Sequence, residues 1–137
     1  ALFQDIKMKT CQSGWTNHDG RCYILITQPK ATWAIAAQTC KKRYHGHLVN
    51  VASKSHMHWL WKFSGKRPFW IGLNDQRNPG QLTWNNRERV VFTNWRRGPP
   101  HLSKQRRNCI LVQQQGKWQR KDCRKGKAYN YICSTKL

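Results

Sequence analysis

The sequence predicts a single α+β domain. Two stretches with helical periodicity occupy the first half of the chain, short apolar runs of strand type follow residue 66, and six cysteines occur without a C-x-x-C pair. At 137 residues the chain suits one domain, and 38% hydrophobic residues with 8 Trp, 4 Tyr and 4 Phe are enough to form a core.

Residues 1–10 read as an N-terminal extension and residues 11–137 as the domain. Cys11 and Cys22 enclose a turn-rich stretch in which Asp19-Gly20 signals a hairpin, and Tyr23-Ile24-Leu25-Ile26 follows as a strand. Thr32 is placed to cap a helix. Beyond it Trp33, Ala36, Ala37 and Cys40 recur on one face, and Lys41-Lys42-Arg43 put positive charge at the end the helix dipole favours. Ser53 is the cap of a second helix, with Met57, Leu60 and Trp61 on its inner stripe and Trp59 and Phe63 beside it. The apolar runs Phe69 to Leu73, Ile110 to Val112 and Tyr129 to Cys133 read as strands, and residues 96–107 as a basic loop.

Charge is the main functional signal. Lys+Arg number 26 against 5 Asp+Glu, a formal charge of +21. Arg96, Arg97, Lys104, Arg106, Arg107, Lys117, Arg120, Lys121, Arg124, Lys125 and Lys127 share their stretch with one acid, Asp122, while His101 adds a pH-dependent charge. Repulsion at this density costs stability, which points to polyanion binding rather than to an idle solvated face. Partners of that kind are acidic or sulphated extracellular glycoproteins or anionic membranes. Trp59 and Trp61 lie two apart on a helix and cannot both face inward fully, so one is a candidate exposed aromatic. The pairs His45/His47 and His56/His58 lack a third ligand at metal spacing, so no metal and no cofactor are expected. Five scattered acids offer no paired-carboxylate site, and an enzyme is not expected.

No apolar run approaches the ~20 residues of a membrane-spanning helix. The even cysteine count suits an oxidising compartment, so the chain is expected to be secreted after storage in a granule, with no nucleic acid as natural partner. There is no N-x-S/T sequon, so N-linked sugar does not mask the charge.

The ordered set Cys11/Cys22 with Gly14-Trp15, the helix Trp33 to Cys40, His47-Leu48-Val49, Trp70-Ile71-Gly72-Leu73, Trp84, Phe92-Thr93-Asn94-Trp95 and Cys109, Trp118, Cys123, Cys133 resembles the C-type lectin-like domain family. The resemblance implies two short helices, a mixed β-sheet, a long loop region and three disulfides, Cys11–Cys22, Cys40–Cys133 and Cys109–Cys123. It also implies that Trp33, Trp70, Trp84, Trp95 and Trp118 belong to the scaffold. Members that bind sugar through calcium carry two ligand triplets, which here fall on Pro99-Pro100-His101 and Trp118-Gln119-Arg120. These lack the oxygen donors a hard cation needs, so calcium-dependent sugar binding is not expected. Size and charge are similar to the bivalve sperm acrosomal lysins of this type. That similarity implies storage in the acrosomal vesicle and non-enzymatic opening of the egg vitelline coat. The alternative resemblance is to the major basic protein type of granule defence protein, which acts on anionic membranes.

Overall fold

The structure, a computed structural model, describes residues 10–97, 107–124 and 126–137. Among these run β1 (Thr16–His18), β2 (Arg21–Ala31), α1 (Trp33–Lys42), β3 (His47–Leu48), α2 (Lys54–Phe63), β4 (Phe69–Asn78), β5 (Gln81–Trp84), β6 (Asn108–Val112), β7 (Trp118–Asp122) and β8 (Tyr129–Lys136). The main sheet has the order β1-β2-β8-β4-β6-β7, with β3 added on β8 and β5 on β4. The sheet is mixed: β4 and β8 run parallel, and the other pairs are antiparallel. The expected α+β class with two helices, a mixed sheet and three disulfides is what the chain forms, and the pairings are Cys11–Cys22, Cys40–Cys133 and Cys109–Cys123.

Period-two alternation explains why the central strands read as unbroken apolar runs. Phe69, Ile71 and Leu73 pack with Met57 and Leu60 of α2 on one face of the sheet. Trp70 turns the other way, to Trp33, Ala36 and Cys40 of α1. Each fully buried side chain of this kind contributes about 1.5–3 kcal/mol. The two indoles on the α1 side also satisfy their N–H groups. Trp33 Nε1 donates to the Ile71 carbonyl at 2.9 Å, and Trp70 Nε1 to the Ala31 carbonyl at 2.8 Å.

Some elements depart from the sequence expectation. Thr32 is the N-cap of α1 but makes no side-chain cap bond, whereas Ser53 accepts from His56 N at 3.0 Å as expected of a cap. β2 runs on to Ala31 past a bulge, because Ala31 pairs again with Tyr129. β4 likewise passes through Asn74-Asp75, which sequence reading takes as its boundary. The reason is that Asp75 is fully buried and accepts from Asn108 N (2.5 Å), Asn108 Nδ2 (2.7 Å) and Gly80 N (2.9 Å).

The hairpin β1–β2 is tied to α2 through Tyr23 and His56. Ala52 N donates to His56 Nδ1 at 3.4 Å, which puts the ring proton on Nε2, 3.0 Å from the Tyr23 hydroxyl. Burial, with His18 and Arg21 nearby, lowers the His56 pKa to about 4.

Two predictions follow from this packing. The Gly72 N–H donates to Val49 O at 2.9 Å, and a Cβ at Gly72 would lie 2.8 Å from the Leu48 carbonyl oxygen. Gly72→Ala therefore costs about 1–3 kcal/mol, read as a lower urea midpoint. For His56, the unfolded imidazole takes up a proton near pH 6.5, but the folded one does so only near pH 4. The unfolded state binds more protons between these values, so stability falls as pH drops from 6.5 toward 4. Urea midpoints across that window should decline, and His56→Gln should decline less; equal slopes would contradict the burial.

Candidate functional site

β7 is the terminal strand of the sheet order, and the expected basic cluster gathers around it. The outer side of its start is covered by residues 94–96. Trp118 N donates to Asn94 O (2.8 Å), Arg96 N to Trp118 O (3.2 Å), and Trp95 forms a parallel bridge with Trp118. These bonds hold the exposed Arg96 and Arg97 beside β7. Lys117, half-buried at the entry to the strand, reaches Asn94 Oδ1 with its Nζ at 3.3 Å.

The register then divides the strand's own cations between two faces. Arg120 pairs with Ile110, on the face toward α2, and Lys121 with Cys109, on the face toward α1. At the far end Cys123 N donates to Arg107 O (3.0 Å), so Arg107 is drawn to the same place as the exposed Arg124. Lys127 is exposed on the segment leading to β8. His101, Lys104, Arg106 and Lys125 lie outside the described residues. The loop position Pro99-Pro100-His101 lies there too.

Acids do little to offset this field. Among the described residues two ion pairs occur, His18 with Asp19 (3.4 Å) and Arg124 with Asp122 (3.7 Å). Asp75 is buried in its hydrogen bonds, and Glu88 accepts from Asn50 Nδ2 at 3.2 Å. Among the described residues the acids are thus dispersed over separate contacts. The calcium that the fold's sugar-binding members use does not fit the second triplet position. Gln119 and Arg120 follow the scaffold Trp118 there, and Arg120 brings a cation to the strand where an oxygen ligand would be required. No three His, Cys, Asp or Glu side chains cluster among the described residues.

The candidate aromatics Trp59 and Trp61 lie on α2. Neither Trp59 nor Trp61 stands free: both are half-buried against the α2-side core. The faces of Trp59 are occupied by His18, stacked at 4.0 Å, and Phe63, stacked at 4.8 Å. The hairpin β1–β2 closes over the helix face that a sequence reading leaves open. His56 is likewise absorbed by Tyr23. His47 Nδ1 lies 2.7 Å from the Leu48 carbonyl and therefore carries the proton, which leaves Nε2 to accept from Arg21 Nη2 at 3.0 Å. Burial lowers the His47 pKa, keeping that ring neutral.

One group escaped the sequence reading. Arg21, Lys41, Lys42 and Lys136 converge around Gly46 and His47, away from β7. They are scattered from residue 21 to residue 136, so no linear charge count finds them; the pairing of β2 and β3 with β8 is what brings them together.

Comparison with known proteins agrees with the architecture. Residues 29–135 match the family model for the lectin C-type domain. FRAS1-related extracellular matrix protein 1 of Homo sapiens is 54% identical over 134 residues, which cover 98% of this chain and 6% of that protein. The secretory phospholipase A2 receptor of Bos taurus is 32% identical over 128 residues, 90% of this chain and 8% of the receptor. The chain thus spans less than a tenth of the length of either relative. Among solved structures, the carbohydrate-recognition domain of cow CD23, crystallised with GlcNAc2Man3 oligosaccharide, superposes with a TM-score of 0.81 at 25% identity, covering 95% of this chain and 98% of that one. The fold, the three disulfides and the matched length together make this chain a member of the C-type lectin domain family.

Proposed function

We propose that this domain acts outside the cell as a calcium-independent, non-enzymatic module that binds acidic or sulphated chains of extracellular glycoproteins. The observation that carries the reading is uncompensated charge: 26 basic residues face 5 acids, and the acid best placed to soften the field near β6, Asp75, is buried and committed to three donors. Binding draws on release of the counterions that a polyanion holds, together with charge-assisted hydrogen bonds from Arg96, Arg97, Arg107, Lys117, Arg120, Lys121, Arg124 and Lys127. His101, Lys104, Arg106 and Lys125 extend the same run in the sequence. Three disulfides and a 54% identical extracellular matrix relative support the location.

Opening of an egg vitelline coat by an acrosomal lysin is a narrower use of the same contact. Of the relatives above, one is an extracellular matrix protein, one a receptor and neither a sperm protein. Dose-proportional release of glycoprotein from isolated egg coats in EDTA would support the lysin form, and no release would leave the matrix reading. Leakage of anionic vesicles would instead move the target to membranes.

The variant Arg96→Gln/Arg97→Gln/Lys121→Gln/Arg124→Gln tests the surface. Its binding to an immobilised sulphated polysaccharide should weaken, and the slope of log affinity against log salt should shrink by about 3, at roughly 0.7–0.9 per lost contact by analogy with nucleic acid. An unchanged slope would place binding elsewhere.

A further inference from the structure

At the end of α1 two adjoining cavities, of about 540 and about 470 Å³, share Gly46, His47 and Asn86 as a common wall and form one groove. Lys41 and Lys42 of α1 line one part, and Arg21 of β2 and Lys136 of β8 line the other. Among the described residues none of these four cations has a carboxylate partner within 4.0 Å.

The polar groups between the cations are arranged as donors. Asn86 Oδ1 already accepts from Asn50 Nδ2 (2.8 Å) and Glu88 N (3.1 Å). Asn85 Oδ1 accepts from Asn74 Nδ2 (2.7 Å), and Asn74 is itself oriented because its Oδ1 accepts from Gln76 N and its Nδ2 donates to Gly72 O. Both amide oxygens are therefore engaged inside the protein; Asn86 Nδ2 spends one N–H on His47 Nε2 at 3.4 Å, and its second N–H and those of Asn85 Nδ2 remain for the groove. His47 Nε2, the ring's one acceptor, is taken by Arg21 and Asn86. Among the described residues Glu88 is the one acid that lines this space, in the part beside Arg21. The framework is fixed, since Gly46 N donates to Cys40 O at 2.9 Å and a Cβ at Gly46 would collide with the Ser134 carbonyl.

A surface with four cations and outward amide N–H groups recognises a ligand rich in acceptors and negative charge. Ala37 and the small exposed edge of Trp33, 5% accessible, add an apolar strip to the larger part. We propose that this groove is a second anion-binding site, taking a sulphate- or carboxylate-bearing saccharide through Lys41, Lys42, Arg21, Lys136 and the amides of Asn85 and Asn86. It is separate from the β7 surface and does not depend on it. β2 and β7 are four steps apart in the strand order, about 19 Å at ~4.8 Å per step. With both surfaces active, one domain can join two acidic chains.

The test is titration of the ¹⁵N-labelled protein with a sulphated hexasaccharide, reading the side-chain amides of Asn85 and Asn86 for the groove and the backbone of Gln119 for β7. The Asn85 and Asn86 signals should move. In Lys41→Gln/Lys42→Gln/Lys136→Gln, an exposed set whose undisturbed backbone spectrum shows retained folding, their midpoint should rise at least about tenfold, the loss of one charge-assisted contact. The Gln119 midpoint should stay. Signals that do not move, or that move with the same midpoint in the variant, overturn the site. Equal shifts with polyglutamate overturn its assignment to a saccharide. Loss of the Gln119 response alone would count against the β7 surface and leave the groove standing.

Discussion

β8 holds the two halves of the chain together, and the rest of the structure depends on that closure. It pairs with β2 on one side and with both β4 and β3 on the other, while Cys133, in its middle, is bonded to Cys40 of α1. The bond spans a sequence separation of 93 residues, and a loop of that length removes about 4–5 kcal/mol of freedom from the unfolded chain in the entropy model. A chain of formal charge +21 repels itself when compact. Closure through β8 offsets that repulsion from the unfolded side, and burial on both faces of the sheet offsets it from the folded side.

The scarce acids follow the same logic. Asp75 joins the start of β6 to β4 from a fully buried position, and Asp122 stays at the end of β7 beside Arg124. Glu88 orders the Asn50 and Asn86 amides through side chain and backbone. Asp75 is the buried acid among the described residues, while Asp19 and Glu88 are exposed, too few to balance the basic surface. The field falls on two places because the sheet separates β2 and β8 at one end of the strand order from β7 at the other.

Much of the fold was legible in the sequence, and the parts that were not share a physical cause. Both helices and the strands at 69, 110 and 129 carry enough apolar periodicity to be read locally. β7 was missed because four of its five residues, Gln119 to Asp122, are polar, and Trp118 is its sole contribution to the core; charged edge strands hide in this way. The extension of β4 through Asn74-Asp75 was hidden for a related reason, since polar residues that signal a turn are here buried and satisfied by distant donors. The basic run around β7 was visible as a run. The groove at Gly46 was not, because its cations come from three elements that meet only in the folded chain. Trp59 looked open because the hairpin that covers it, carrying His18 and Tyr23, is a tertiary neighbour.

Recognition by charge, not by a coordinated cation, is what we propose for this lectin fold. It is tested most directly by comparing a sulphated polysaccharide with its desulphated counterpart, each titrated with and without calcium at two salt concentrations. The expected result is binding to the sulphated chain alone, unchanged by EDTA and steeply weakened by salt. Calcium-dependent binding of the desulphated chain would contradict it.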